Sequence, residues 1–324
     1  MRLVPMPQPS TATTVALSST PACSEGDIAM FEYSEFNIAP WGWEIPVYFF
    51  LIGTAGMSFI YAAAPAVFGN LFGGIARSME SFQKVGMLVA LVLLLICAPL
   101  LIFDLGMPGR FLYPILHFHW TSPLSWGALF LPLFGLCIVG FLAALWTQRP
   151  RLLKLMGVLG MLLSLSMPLY TGLDLMVHQT RELWSNPTIP VLFVILSVNS
   201  GTALVSIIQL ARGQFDARTF EFLHWFLYVA LGTTLALFLG ELVTLLYGSE
   251  ELQQAWVLIN DRFGVQFWGL TFGLGILLPL SLMVLTQYRP NPVLFSLAAV
   301  CSAIGAYFFR AVLIYAGQLT QIYY

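Results

Sequence analysis

Long apolar stretches fill the chain from about residue 45 onward, and short polar segments separate them. A helix that crosses a membrane needs about 20 consecutive apolar residues. Eight stretches reach that length, so the pattern predicts eight transmembrane helices. The breaks between them carry charge, proline or glycine, as turns do. The predicted spans run roughly over 46–68, 85–104, 124–146, 155–176, 188–210, 222–247, 266–286 and 293–316.

Composition supports an integral membrane protein. Charged residues make up 9 % of the sequence, whereas soluble domains carry about 25 %. The net charge of −2 gives no reason to expect a nucleic-acid partner. Residues 1–39 are polar and rich in Pro, Ser and Thr, and they lack the apolar segment of a signal peptide. We therefore expect a flexible N-terminal extension followed by one membrane domain, residues 40–324.

The placement of Lys and Arg predicts the orientation, because cytoplasmic loops are enriched in both. Eight of the thirteen lie in the first, third, fifth and seventh connections. These connections should be cytoplasmic, with both termini in the periplasm if the protein lies in a bacterial inner membrane. The eight are Arg77, Lys84, Arg149, Arg151, Lys154, Arg212, Arg218 and Arg289.

Several polar side chains fall at one depth near the outer surface, at a rise of about 1.5 Å per helical residue. Ionisable groups within spans normally face a bundle interior or a wet cavity and pair with one another. We interpret six of these polar side chains as the lining of a shared outer cavity, toward which Arg310 should point. They are Glu44, Asp104, Tyr170, Asp174, Glu241 and Arg310.

Spacing brings three of the candidates onto one flank. Tyr170, Asp174 and His178 stand at i, i+4 and i+8, so a continuous helix would align them. Simpler interpretations exist for single residues. Arg310 could extend to lipid headgroups, Glu44 and Asp104 could be solvated span ends, and Tyr170 could belong to an aromatic belt.

The histidines and cysteines limit which cofactors the protein could hold. Bis-histidine haem needs paired histidines within spans, and the four histidines here do not supply such a pair. No CxxC pair occurs either, so we expect no haem or metal in this protein. Tyr, His and carboxylates beside apolar walls suit a quinone, whose oxygens need hydrogen-bond partners and whose protons need a relay. The electrons would have to leave to another subunit.

Four segments resemble the NrfD / polysulfide reductase membrane-subunit family. The most specific elements are TSP-x-x-WG at 121–127 and R-x6-GQ at 310–318. The segments are PWGWEIPVYFFLIGTAG (40–56), DLGMPGRFLYPILHFHWTSPLSWGA (104–128), LYTGLDL with RELWSNPTIPVLFV (169–194) and RAVLIYAGQ (310–318).

The resemblance implies eight helices in two four-helix bundles, with a quinol site near the outer face of the first bundle. It implies that Tyr170 matches a quinone-binding tyrosine, and that Tyr48 stands where one family member has a quinone-contacting histidine. A polar neighbour would be Glu44 or Ile45. Asp104 matches an acidic position. The family also implies a peripheral four-cluster iron–sulfur subunit that passes electrons to a molybdopterin or other catalytic subunit.

The resulting hypothesis is a quinol-binding anchor subunit that uses menaquinone or ubiquinone, in the anaerobic respiration of a sulfur or nitrogen compound. Asp104, His178 and Glu44 would take protons. Two rivals remain: a proton- or ion-coupled transporter, for which no internal repeat is visible, and an anchor without a ligand. Ligand binding is assigned to Tyr170, Tyr48, Asp174 and Arg310, and docking of the partner to Trp120, Trp126 and Trp184.

Overall fold

A computed structural model describes residues 41–69, 72–104 and 108–319, apart from the side chains of 72–75, 104 and 108. Eight helices in these ranges are long and apolar enough to cross a membrane, and no strand occurs there, which confirms the predicted all-α membrane fold. The expected extension, residues 1–39, lies outside the described residues. The helices are α1 (Glu44–Phe68), α2 (Gln83–Asp104), α3 (Pro123–Trp146), α4 (Pro150–Met176), α5 (Thr188–Ala211), α6 (Ala217–Tyr247), α7 (Glu250–Tyr288) and α8 (Pro292–Leu319).

Helix α7 begins at Glu250, well before the predicted start near residue 266. Its first turn is capped by Ser249, whose hydroxyl accepts from the Leu252 amide at 3.3 Å. The segment that follows is amphipathic and buries Ala255 and Ile259, so it is helical although it is not apolar enough to be predicted as a span. Part of α7, Val265–Leu277, is π-helical, and a 3-10 helix, Phe72–Phe82, leads into α2.

Helix α1 is the central element of the membrane domain. In its most apolar window 78 % of residues are buried, against 28 % for the span that contains α2. It packs against α2, α4 and α5. Helix α1 thus contacts helices from both halves of the chain. The division into two four-helix bundles therefore stays a prediction.

Small residues let α1 and α5 approach closely. A side chain at Gly53 would overlap Ser197, and one at Gly201 would overlap Met57. Membrane helices associate through such small residues together with hydrogen bonds between helices. Two of these bonds join α1 to α5 within the same interface: Thr54 to Ser200 at 2.8 Å and Tyr61 to Thr202 at 2.7 Å.

Helices α1 and α4 meet where a proline interrupts α4. Pro168 lacks an N–H, so it cannot donate to the Ser164 carbonyl one turn earlier. That carbonyl lies against Gly56 of α1, where a Cβ would come within 2.7 Å of the oxygen. The absence of a side chain at Gly56 therefore allows the close contact that places Tyr48 and Tyr170 opposite each other.

Helices α7 and α8 cross at a pair of glycines, Gly275 and Gly305. A Cβ on either one would overlap the backbone of the other. We expect Gly305→Ala to lower the free energy of unfolding by about 1–3 kcal/mol, the usual cost of overpacking. Unfolding of the purified protein by a denaturing detergent measures it.

The control is Gly232→Ala on α6, where an added Cβ meets nothing within 4 Å. This change should leave stability the same or slightly raised, since alanine favours helix more than glycine does. Equal losses in both variants would contradict the packing argument.

Candidate functional site

Two buried phenols face each other at the contact of α1 and α4. The hydroxyl groups of Tyr48 and Tyr170 are hydrogen bonded, although the residues lie 122 positions apart in the sequence. Tyr48 is 1 % exposed and Tyr170 5 %. Cys97 of α2 and Asp174 of α4 lie close enough to both phenols to interact with them electrostatically. Three helices therefore contribute to one buried polar cluster.

A pocket of about 470 Å³ opens beside this cluster, between the start of α3 and the end of α4. Its volume lies within the range of about 300–1,000 Å³ that is typical of small-molecule sites. Most of the lining is aromatic or aliphatic, and Tyr170 is the member that also belongs to the phenol pair. We call it the aromatic pocket. It is lined by Trp120, Thr121, Pro123, Trp126, Phe130, Ser166, Leu169, Tyr170 and Leu173.

The segment before α3 and its first turns form one wall of the aromatic pocket. The Trp126 indole donates to the Trp120 carbonyl at 3.0 Å, and its ring contacts Phe130 at 5.5 Å between centroids. Gly127 follows, and a Cβ there would overlap the Tyr170 ring. The tryptophan thus supplies a pocket wall, while the glycine leaves room for the phenol.

A second set of contacts fastens the segment after α4 to the end of α8. Arg181 donates to the carbonyls of Gly317 and Gln318, the latter at 2.9 Å. The Trp184 indole donates to the Leu313 carbonyl at 2.9 Å, and a Cβ on Gly317 would overlap that indole. We call this arrangement the clasp. Trp184 is 1 % exposed, so the expectation that it forms a docking surface was wrong.

The clasp also holds the segment that enters α1. The Gln318 amide donates to the Trp41 carbonyl at 3.0 Å, and the Trp41 and Trp184 rings stack with centroids 5.2 Å apart. His178 packs edge-on against both indoles. Helix α4 ends at Met176, so the predicted alignment of His178 with Tyr170 and Asp174 on one helix does not extend that far.

Arg310 is fully buried, and it hydrogen bonds to neutral groups. Its guanidinium donates to the Phe193 carbonyl and the Ser197 hydroxyl of α5, both at 2.9 Å, and to the Ala306 carbonyl at 3.1 Å. It also lies over the Phe193 ring. These bonds do not reach the phenols or carboxylates that we expected it to face. Its role in ligand binding stays a prediction.

The remaining acidic candidates are spread along the same end of the fold. Glu44 lies in the first turn of α1 and is half-buried. Asp104 ends α2, and its side chain is outside the description. Glu241 of α6 accepts from Asn186 at 2.8 Å and from Thr188, so it joins α6 to the start of α5 and is not part of the aromatic pocket.

Some members of the cluster were missed in the sequence. Cys97 was interpreted as a small apolar residue, because its neighbours in the sequence are apolar. Phe130 carries no signal of its own, although TSP-x-x-WG, which ends at Gly127, marked the region. Within the described ranges, no three His, Cys, Asp or Glu side chains form a group that could hold a metal ion.

Comparison with known proteins identifies the family. The family model described as polysulphide reductase, NrfD, matches residues 32–322. The chain belongs to the NrfD polysulphide reductase family. It is similar to Protein NrfD of Escherichia coli, with 26 % identity over 315 residues that cover 88 % of this sequence and 97 % of the relative.

Two further relatives extend the comparison. One of the chains of polysulfide reductase from Wolinella succinogenes is 23 % identical over 314 residues, which cover 88 % of this sequence and 96 % of that protein. One of the subunits of tetrathionate reductase from Salmonella typhimurium is 27 % identical over 175 residues, which cover 51 % of this sequence and 47 % of that protein. The family match over residues 32–322 agrees with the resemblance seen in the four segments.

The clasp should respond to pH through His178. Burial, and then the Arg181 charge, lower the pKa of the His178 imidazole from its ordinary value of 6.5. The unfolded protein then binds this proton more readily, so the native fold loses stability as pH falls through that value. Between about pH 7.5 and 5.5, wild type should lose more thermal stability than His178→Phe, which keeps a ring but does not titrate. Parallel pH profiles would contradict this.

The cost of the buried Arg310 charge can be measured directly. The Phe193 carbonyl on α5 keeps another donor without it, because Ser197 donates to that carbonyl at 2.7 Å. Desolvating a charge is costly, so Arg310→Met should leave the free energy of unfolding unchanged or raise it by up to about 2 kcal/mol. Denaturing-detergent titration tests this. A loss of more than about 2 kcal/mol would show instead that the guanidinium braces α8 against α5.

Proposed function

We propose that this protein is the quinol-binding membrane anchor subunit of an iron–sulfur/molybdopterin oxidoreductase. The observation that carries the proposal is the phenol pair, Tyr48 with Tyr170, set beside a largely apolar pocket between two membrane helices. A quinone headgroup needs a few polar partners within apolar walls, and its isoprenoid tail needs an opening toward lipid. The aromatic pocket meets the first need, and its position between α3 and α4 meets the second.

The phenols act as hydrogen-bond partners of the ring oxygens. A phenol hydroxyl both donates and accepts, so Tyr170 serves either a quinone carbonyl or a quinol hydroxyl. Tyr48 orients Tyr170 through their shared hydrogen bond. Trp126 and Phe130 also line the aromatic pocket and supply rings against which the headgroup packs.

Oxidation of a quinol releases two protons and two electrons, and the two leave by separate routes. Asp174, one turn beyond Tyr170, is the carboxylate placed closest along the sequence to receive a proton. Asp104 and Glu44, at the ends of α2 and α1, and His178 in the clasp would pass protons on to solvent. Arg310 is assigned an electrostatic influence on this end of the fold.

The electrons need an acceptor outside this protein. We assign that role to a peripheral four-cluster iron–sulfur subunit, docked at the end of the fold that bears the aromatic pocket and the clasp. Trp120, which is 77 % exposed, lies at this end. The relatives named as parts of polysulfide and tetrathionate reductases support an assembly with a molybdopterin or other catalytic subunit.

The setting follows from the same relatives and from the charge pattern. We propose a bacterial inner membrane, with both termini periplasmic and the aromatic pocket in the outer leaflet. Menaquinone or ubiquinone would be the substrate, in anaerobic respiration with a sulfur or nitrogen compound as terminal acceptor. The fold's pocket is shallow and lateral, whereas transporters bind their substrates near the membrane midplane.

The test is binding of a fluorescent quinol analogue of the hydroxyquinoline N-oxide class to membranes that contain the assembled complex. Tyr170→Phe removes one hydroxyl and leaves the ring, so the analogue should bind about tenfold more weakly. Fluorescence quenching measures the dissociation constant.

Tyr61→Phe is the matched control. Tyr61 is also a buried phenol on α1, but it bonds Thr202 and does not line the aromatic pocket. Its loss should leave the dissociation constant within about twofold. If neither wild type nor control binds the analogue saturably while the complex is folded, the quinol proposal fails. If all three proteins bind equally, Tyr170 is not the partner.

A further inference from the structure

A second pocket lies at the opposite end of the fold from the aromatic pocket. It has a volume of about 320 Å³ and opens between the first turns of α6 and the last turn of α7. The aromatic pocket lies at the end of α4. Helix α6 starts at the membrane face where α4 starts, because α4 and α5 each cross the membrane once between those two points. The second pocket, at the start of α6, therefore lies at the opposite membrane face. None of the proposed quinol residues contributes to it. We call it the α6–α7 pocket.

One wall of the α6–α7 pocket is a ladder of rings along α6. Phe220, His224 and Tyr228 follow at intervals of four residues, and the His224 ring lies parallel to Tyr228 and stacks on Phe220. His224 is held in place by its contact with the Met283 carbonyl of α7 at 3.5 Å. Trp225 adds a large face that is 62 % exposed.

The charge within this pocket is negative. Glu221 lines it and is exposed, and no lysine or arginine is among the described lining residues. Gln287 and Thr286 of α7 add polar groups opposite the ring ladder. Two arginines flank the lining residues along the chain, and we call them the rim arginines. Arg218 lies one turn before Glu221 on α6, and Arg289 follows the last residue of α7.

We propose that the α6–α7 pocket binds the headgroup of an aminophospholipid, with the ammonium group inside it and the phosphate at its rim. The exposed Trp225 ring and the Glu221 carboxylate together favour an organic cation. The rim arginines favour the phosphate that follows the ammonium in such a headgroup. Because the pocket lies at the ends of two spans, we place the acyl chains in the surrounding lipid.

Charge decides between this occupant and the alternatives. An anionic phospholipid would bring only negative charge to Glu221, which is unfavourable. A quinone headgroup has no positive charge for Glu221 and would leave the rim arginines unused. Trp225 and Tyr228 could instead belong to the aromatic belt at the membrane–water interface, but such a belt shows no preference among headgroups. A preference for the ammonium that depends on Glu221 therefore separates a built site from a belt.

Native mass spectrometry of the purified full-length protein tests this with equimolar phosphatidylethanolamine, phosphatidylglycerol and phosphatidylcholine. Wild type should bind phosphatidylethanolamine about tenfold more tightly than phosphatidylglycerol. In Glu221→Gln the ratio should fall to within about twofold. Glu80→Gln is the matched control, since Glu80 is another exposed carboxylate in the connection before α2, at the same membrane face. It should keep the wild-type ratio.

Trp225→Leu is a second variant, because it removes the ring face and leaves the carboxylate. It should also weaken phosphatidylethanolamine binding, with little change for phosphatidylglycerol. The proposal is overturned if wild type shows no preference, or if Glu221→Gln retains it. Phosphatidylcholine bound as tightly as phosphatidylethanolamine would overturn the assignment to a primary amine. Each result is independent of quinol binding at the other face.

Discussion

The close approach of α1 to both α4 and α5 is the constraint on which the rest of the membrane domain depends. It is made by glycines and small polar residues, because helices in lipid gain little from burying apolar surface against one another. Gly56 leaves room for the Ser164 carbonyl, to which Pro168 cannot donate, and Gly53 leaves room for Ser197. This close approach brings the hydroxyl groups of Tyr48 and Tyr170, on separate helices, into hydrogen-bonding contact. A bulkier α1 would separate the phenols and open the centre of the domain.

Hydrogen bonds to backbone carbonyls fasten the end of the fold that bears the phenols. Arg181, Trp184 and Gln318 all donate to carbonyls of segments far away in the sequence. Carbonyls in the last turn of a helix lack partners within the helix, so the end of α8 supplies acceptors for the loop after α4. This explains why a glycine and a glutamine end R-x6-GQ. The glycine admits an indole, and the glutamine holds the entry to α1.

Two buried ionisable side chains are held by neutral hydrogen-bond partners. Glu241 receives two neutral donors from the start of α5, and Arg310 gives its bonds to neutral acceptors of α5 and α8. Neither is neutralised by an opposite charge among the described residues, so each is held by dipoles alone. Such groups cost stability. Both lie against α5 and away from the phenols, whose nearby carboxylate is Asp174.

The sequence by itself determined the membrane class and the eight spans, because hydrophobic length is a local property. It also predicted Tyr170 as a site residue, since polar groups are costly in lipid. It missed the early start of α7, whose helicity comes from a cap and one buried stripe, and it directed Arg310 toward the wrong neighbours. It indicated Tyr48 only through family resemblance. Which side chains meet was decided by tertiary structure. Depth along a helix can be counted from sequence, but the rotation of one helix against another depends on glycines and prolines that act in pairs across the interface.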